Sequence, residues 1–354
     1  MQEFDTLKIS IPADAIRRSN SEIWRINTST DGETGEQVQT YVAKQKALPV
    51  GISNLSSAKG GIDYQLTFSA KVLGQDYLNG ITLNNWDRVL DELNSVIDID
   101  KNKVFENSRV FSCDTTNNLS IDEIGYSHRN IYDALLCSRA NIRFVVPPPY
   151  RSEKKQGIEF RGVQTEKNRC IFYSKHLDLQ KPTNREFMRS VPDPMKLITQ
   201  SEKQVRCEVN HTALRSIRNR LKIADNSFKS VLNSTAPVNH NFLKKVMNVS
   251  DIKQTSLFGE WSSFKSMGGD GKDFIFIKGI QSIIESLDYC DVAVKVMFQD
   301  ILGDGETFKY HWYKKRNSIK SILEGMKSKE YGIDTDTSNL IANKVLELLF
   351  KAVA

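Results

Sequence analysis

Apolar and polar residues alternate in several short runs of the first 210 residues, a pattern that predicts half-buried β-strands. In residues 5–12, Leu7, Ile9 and Ile11 alternate with polar residues, and Pro12 ends the run. Further strands are predicted at 38–42, 63–73, 104–116, 142–146, 157–163, 170–177 and 205–209. Because these runs follow no regular strand–helix–strand rhythm, they predict an antiparallel sheet in an α+β domain.

Helical spacing of apolar residues appears between these runs and dominates the end of the chain. Residues 85–96 predict a helix with Asn85 as its N-cap. Other helices are predicted at 122–140, 212–223, 241–247, 280–287, 291–302, 319–326 and 338–353. The change of character near 225–240 predicts two domains, a strand-rich domain over 1–230 and a more helical one over 231–354.

The composition of the 354 residues is that of a globular protein, with 39% hydrophobic and 26% charged residues. No run approaches the roughly 18 apolar residues of a membrane span. The first ten residues lack the basic start and apolar core of a signal peptide, so we expect a cytosolic protein with no membrane partner.

Charge and cysteine content narrow the class of partner and of site. The net charge of +6 favours a polyanionic partner without proving one. Five cysteines with no Cys-x-x-Cys pair argue against a disulfide framework and against a cysteine zinc site. We interpret them as buried reduced thiols; they are Cys113, Cys137, Cys170, Cys207 and Cys290.

A tyrosine, a lysine and an aspartate are spaced as Tyr173-x-Lys175-x-x-Asp178 at the end of a predicted strand. On a strand, Tyr173 and Lys175 would share a face. A phenol with a pKa of about 10 is a poor nucleophile at neutral pH, and an adjacent cation favours its phenolate. The alternative interpretation is an exposed strand tyrosine beside a lysine.

Two acidic residues lie within other predicted strands. Asp114 sits among strand residues, where a carboxylate is unfavourable unless it is paired or binds a cation. Glu208 shares a strand face with Arg206. Together, Asp114 and Glu208 are candidate ligands for Mg²⁺ or Mn²⁺, which prefer hard oxygen ligands. Alternatively, Asp114 caps a turn and Arg206–Glu208 is a surface ion pair.

The helix predicted at 212–223 carries Arg215, Arg218 and Lys222 at positions i, i+3 and i+7. We assign Leu214, Ile217 and Leu221 to its buried stripe. With Arg206, the three cations could follow a DNA backbone, or they could simply be a solvated helix face.

The order of these segments resembles the phage and plasmid replication initiators that include the filamentous-phage nicking proteins. It is more distantly similar to plasmid rolling-circle initiators with a Tyr-Asp-Lys-x-x-Glu strand. The matching segments run from residue 5 to about 225 and are the strand at 5–12, Ser69-Ala-Lys-Val-Leu-Gly-Gln-Asp-Tyr77, Leu83-Asn-Asn85, Cys113-Asp-Thr-Thr116, the Tyr-x-Lys strand and the Arg-x-Glu strand before a basic helix.

The resemblance implies a nickase that initiates rolling-circle replication. Tyr173 would attack a phosphodiester at the origin, giving a 5′-phosphotyrosine and a free 3′-OH, while Lys175 would stabilise the phenolate or the pentavalent phosphorus. Asp114 and Glu208, with Asp178, would hold Mg²⁺ or Mn²⁺. Partners would be origin DNA, single-stranded or supercoiled, and the helicase and polymerase of a bacterial host, with a homodimer as one oligomeric option.

Some features depart from that family or compete with these assignments. The His-hydrophobic-His metal pair of better-known nicking enzymes is missing, so His176 or His211 could replace a carboxylate ligand. Asp178 stands where those initiators have Glu. Tyr310 and Tyr313 are rival nucleophiles in a late segment that has Lys314 four residues after Tyr310.

Two other protein classes share part of this pattern. A non-catalytic origin-binding initiator or repressor would share the basic surface without needing the acidic and tyrosine residues to converge. A tyrosine recombinase or topoisomerase would be mostly helical, which the strand-rich first half argues against. No phosphate-binding loop of an ATPase is present, so unwinding would fall to the host helicase.

Overall fold

The structure is a computed structural model, and it describes residues 1–17, 22–30, 37–58, 63–139, 144–147, 156–162, 169–247, 295–296, 299, 333 and 335–353. Two compact units interleave along the chain. Unit 1 comprises Met1–Ser120, Lys167–His240 and Leu348–Ala354; unit 2 comprises Ile121–Glu166 and Asn241–Glu347. The predicted helices at 280–287 and 319–326, with Tyr310 and Tyr313, lie outside the described residues. The predicted 1–230 and 231–354 domains therefore stay a prediction.

Most strands of the described residues belong to unit 1. The strands are β1 (Glu3–Pro12), β2 (Ile16–Arg17), β3 (Trp24–Thr30), β4 (Gln37–Ala43), β5 (Ile52–Ser57), β6 (Asp63–Ser69), β7 (Asp98–Ile99), β8 (Arg109–Ser120), β9 (Phe144–Val145), β10 (Gly157–Gly162), β11 (Arg169–Ser174) and β12 (Gln204–His211). In unit 1, the main sheet has the order β3-β4-β5-β6-β1-β8-β12-β11. Every neighbouring pair in that order is antiparallel, which confirms the predicted sheet type.

Helices complete an α+β fold, as the sequence predicts. They are α1 (Trp86–Asn94), α2 (Lys101–Asn107), α3 (Ile121–Ile124), α4 (His128–Cys137), α5 (Lys175–Leu179), α6 (Arg185–Ser190), α7 (Pro194–Glu202), α8 (Leu214–Leu221), α9 (Phe228–Leu232), α10 (Val238–Met247) and α11 (Thr335–Lys351). No helix among the described residues has both the length and the apolar character to cross a membrane.

The two faces of the main sheet differ in chemistry. On β1, Leu7, Ile9 and Ile11 are fully buried, which confirms the predicted alternation. Val205, Cys207 and Val209 of β12 are also fully buried. Because successive strand residues point to opposite faces, these apolar residues form the core on one face, and the polar residues that alternate with them lie on the other face. We call them the core face and the polar face.

Local patterns mispredict two segments of unit 1. The predicted strand 104–116 begins as helix α2, because Asp100 caps that helix through Lys103 N and Phe105 stacks on Trp86 at 4.3 Å. Residues 70–73, predicted as strand, belong to a 3₁₀ segment, Ala70–Asn79, that kinks at Gly74. In both places, packing against neighbouring side chains overrides the local preference.

Three further local predictions are refined. The predicted helix 122–140 is interrupted at Gly125, whose φ of +79° favours glycine, and it restarts as α4. The polar stretch 17–37 contains the exposed strand β3, and β5 was also missed. Among the described cysteines, Cys113, Cys170 and Cys207 are buried free thiols, as expected, whereas Cys137 is half-buried.

Candidate active site

Three neighbouring strands bring the predicted site residues to the polar face of unit 1. Tyr173 on β11 lies directly opposite Arg206 on β12, which lies opposite Asn118 on β8. Directly opposed residues share a face, and Glu208, two positions after Arg206, shares it too. The sheet register thus places a phenol, a guanidinium and a carboxylate side by side.

Asp5 joins this group because the register of β1 slips by one residue. Phe4 pairs with Thr115 and Thr6 with Asp114, so Asp5 is the extra residue of a bulge. Its carboxylate accepts a hydrogen bond from Arg206 Nη1. The alternation of β1 alone does not reveal this contact, because a regular strand would place Asp5 on the same face as the buried Leu7.

Lys175 reaches Tyr173 from a helix instead of from the strand. The strand predicted to continue to 177 ends at Ser174, whose hydroxyl accepts a hydrogen bond from Leu177 N and caps α5. From the first turn of α5, Lys175 Nζ donates to Tyr173 Oη at 3.0 Å and to Asp178 Oδ2 at 3.1 Å. Tyr173 and Lys175 are therefore in contact as predicted, but Lys175 lies on the helix that follows the strand and not on the strand itself.

The phenol of Tyr173 is held between a proton acceptor and a cation. Its hydroxyl donates to Glu208 Oε1 at 2.5 Å while it accepts from Lys175 Nζ. Burial, and then the charge of Glu208, raises the pKa of Tyr173 well above its usual value. Burial, and then the charge of Asp5, raises the pKa of Glu208 to about 7. Glu208 is thus the acceptor placed to take the phenol proton as a reaction proceeds, whereas the raised pKa of Tyr173 keeps the phenol protonated at neutral pH, contrary to the phenolate that the adjacent lysine favours.

A fully buried arginine links the acids of the site. Arg206 is 0% exposed; its Nε donates to Asn118 Oδ1 at 2.9 Å, and its Nη1 lies 3.7 Å from Glu208 Oε1. Asn118 in turn donates to the carbonyl of Leu78. Since a buried guanidinium needs acceptors around it, Asp5 and Asn118 hold Arg206 in place beneath Glu208.

Tyr77 is a second residue that the sequence did not single out by itself. Tyr77 is 1% exposed and its ring contacts two cations: Lys175 Nζ is 4.7 Å, and Arg206 Cζ 5.0 Å, from the ring centroid. Phe187 packs against the ring edge with centroids 5.0 Å apart. The electron-rich ring faces attract both like charges and so allow them to share one buried space.

The three carboxylates expected to bind a metal do not form one site. Asp178 bonds Lys175 and Lys181 through its two oxygens. Asp114 accepts from Asn210 and pairs with it across the ladder, whereas Glu208 pairs with Thr116. Among the residues that the structure describes, no three His, Cys, Asp or Glu side chains are close enough to hold a metal. The requirement for Mg²⁺ or Mn²⁺ stays a prediction.

The two histidines considered as ligands have other contacts. His211 is fully buried on the core face, with Nε2 3.1 Å from Thr115 Oγ1, and burial, then Arg220, lowers its pKa to about 3. A neutral core histidine is the consequence. On α5, His176 Nε2 lies 2.8 Å from Gln180 Nε2.

The basic helix α8 does not lie with Tyr173. Its Arg220 lies 3.4 Å from His211 Nδ1, and His211 is on the core face. Ile217 and Leu221 are buried as expected, whereas Leu214 is 48% exposed. Arg215 and Arg218 are exposed on this helix. The structure therefore separates the cations of α8 from Arg206, which the sequence had grouped with them.

Replacing Arg206 with Met should lower the free energy of unfolding by about 3–5 kcal/mol, because Asp5 would lose its buried partner. Urea denaturation of the full chain would measure it. Arg189→Met, on the exposed surface of α6, is the matched control with little expected effect. Adding Asp5→Leu to Arg206→Met should restore part of the loss. A change below about 1 kcal/mol would contradict a structural role of this pair.

Comparison with known proteins adds no further assignment: no family model, no curated protein and no solved structure matches this chain.

Proposed function

We propose that this protein is a DNA-nicking replication initiator of a phage or plasmid, with Tyr173 as its nucleophile. The observation that carries the proposal is the position of Tyr173 Oη, which donates to Glu208 at 2.5 Å and accepts from Lys175 at 3.0 Å. A solvated surface tyrosine would need neither a buried lysine nor a carboxylate of raised pKa beside it. Perturbed groups clustered in this way are typical of catalytic sites.

The proposed reaction transfers one phosphoryl linkage from DNA to protein. Tyr173 Oη forms a bond to phosphorus while its proton passes to Glu208, and the bond between phosphorus and the 3′ oxygen breaks. The 3′ oxygen takes a proton from solvent and becomes the free 3′-OH that a host polymerase extends. Reversal of the same steps rejoins the strand, because the phosphotyrosine retains the energy of the phosphodiester.

The cations of the site suit the charge that develops in this reaction. Lys175 is 2% exposed and touches the phenol oxygen, so it favours negative charge on that oxygen. Asp178 and Tyr77 fix its ammonium group. Glu208 serves here as the base instead of a metal ligand, which agrees with its short bond to the phenol.

The proposal is tested by trapping the covalent product. The full chain is incubated with a pool of random-sequence single-stranded oligonucleotides and Mg²⁺ or Mn²⁺, then run on a denaturing gel. A 3′-labelled pool should give a protein-linked band and a 5′-labelled pool should not, because the protein joins the 5′ end of the downstream fragment. Peptide mass spectrometry should locate the adduct on Tyr173.

The two other outcomes are equally informative. DNA binding without any adduct, in any metal and on a supercoiled plasmid with the cognate origin, would leave the non-catalytic origin-binding initiator, which the exposed cations of α8 favour. A protein-linked band from the 5′-labelled pool alone would reverse the polarity of the linkage and contradict the proposal.

A further inference from the structure

We infer that α8 carries a second DNA-contact surface, for the phosphate backbone of duplex DNA, on the opposite side of the sheet from Tyr173. We call it the α8 surface, formed by Arg215, Arg218 and Lys222. The inference rests on the proposed function for its biological context and extends it to a separate site. It assigns duplex binding and strand cleavage to different faces of one sheet.

The position of α8 follows from the alternation of β12. Arg206 and Glu208 point to the polar face, so His211, an odd number of residues away, points to the core face. Arg220 of α8 contacts His211 at 3.4 Å, which fixes the helix on that side. The α8 surface and Tyr173 are therefore separated by the thickness of the sheet.

The three cations of the α8 surface are available for a ligand. All three are exposed, and no described residue gives any of them an ion pair or a side-chain hydrogen bond. Arg215 and Arg218 lie one turn apart on α8, and Lys222 is the residue that ends the helix. By contrast, the exposed Arg17 and the half-buried Lys101 and Lys103 are each paired with a carboxylate. A group of neighbouring unpaired cations complements the phosphates of a DNA backbone.

The backbone at Lys222 gives a second, independent indication. Lys222 ends α8 in the left-handed region, with φ of +57°, and among the described residues no other non-glycine residue has a positive φ. Glycine is the favoured residue at such a helix end, because a side chain there is strained. A phosphate contact by the cationic side chain would offset this conformational cost.

Duplex DNA fits the α8 surface better than a single strand does. Single-strand sites combine cations with aromatic rings on which bases stack. In α8 and its flanking residues 212–225, no aromatic residue occurs. Contacts from cations alone bind the phosphate backbone without reading sequence, which positions a protein on duplex DNA.

The test measures the salt dependence of binding to a random-sequence duplex of about 30 base pairs, by fluorescence anisotropy of the full chain. Each phosphate contact contributes about 0.9 to the slope of log K against log salt. The triple variant Arg215→Ala, Arg218→Ala, Lys222→Ala should lose nearly 3 from this slope and bind more than about tenfold more weakly. The control Arg17→Ala, Lys101→Ala, Lys103→Ala removes the same charge from paired sites and should change the slope by less than about 1.

A single variant separates binding from folding. Lys222→Gly relieves the left-handed strain, so the fold should be at least as stable, yet the slope should fall by about 1. Adduct formation on the single-stranded pool should remain at the wild-type level in every α8 variant. Equal losses in the triple variant and its control, an unchanged slope in Lys222→Gly, or loss of adduct with duplex binding retained would each overturn the inference. Absence of any adduct in the wild type would instead contradict the proposed nickase, and the salt dependence of duplex binding would still test the α8 surface.

Discussion

Replacing Tyr173 with Phe should abolish the protein–DNA adduct completely, because the variant lacks the oxygen that bonds to phosphorus. The change is small in structural terms. The ring stays against Lys175, whose Nζ is 5.1 Å from the ring centroid, and only the hydroxyl with its bonds to Lys175 and Glu208 is lost. The measurement is the 3′-labelled band on a denaturing gel, compared at equal protein concentration and time.

A second tyrosine serves as the matched control for that experiment. Tyr126→Phe removes a hydroxyl from a half-buried tyrosine of unit 2 and should leave the adduct unchanged. Duplex binding by Tyr173→Phe should also equal that of the wild type, since the α8 surface is intact. An adduct that persists in Tyr173→Phe would move the nucleophile elsewhere, with Tyr310 and Tyr313 as the first candidates to replace.

Replacing Glu208 with Gln should slow adduct formation by about 10²–10⁴-fold, the usual contribution of a positioned base. Glutamine keeps the size of the side chain and an oxygen that can accept from Tyr173, but it cannot take the proton. The rate is measured in single turnover, so that product release does not mask the chemical step.

The pH profile separates a base from a merely structural glutamate. Because burial raises the pKa of Glu208 to about 7, the carboxylate is mostly protonated below that pH and mostly ionised above it. Only the ionised form accepts a proton, so the wild-type rate should rise about tenfold per pH unit below neutrality and level off above it. Glu208→Gln should lack this rise.

Asp114→Asn provides the control for the pH profile. Asp114 is another carboxylate of the polar face with a pKa raised by burial, but it bonds Asn210 and not Tyr173. This variant should retain the rise with pH. If Glu208→Gln keeps both the wild-type rate and the rise, Glu208 is not the base, and the short bond to Tyr173 has only a structural role.

Much of the strand framework was determined by the sequence alone. Apolar and polar residues alternate along a strand that has one buried face, so the spacing of Leu7, Ile9 and Ile11 predicted β1. The sequence also selected Tyr173, Lys175 and Glu208, the last as a metal ligand, through the order of segments that resembles the initiator family, although each motif alone allowed a structural interpretation. Failures occurred where packing decides, as in α2, whose Phe105 stacks on Trp86.

Only the tertiary structure decided which residues surround the nucleophile and which do not. A one-residue bulge brought Asp5 to Arg206, and a 3₁₀ segment about 100 residues before the lysine placed Tyr77 against two cations. The face occupied by α8 was equally hidden, because spacing within a helix does not say which side of a sheet the helix covers. Sequence periodicity indicates which side of a strand or helix is buried, whereas strand register, bulges and packing determine which residues that side contacts.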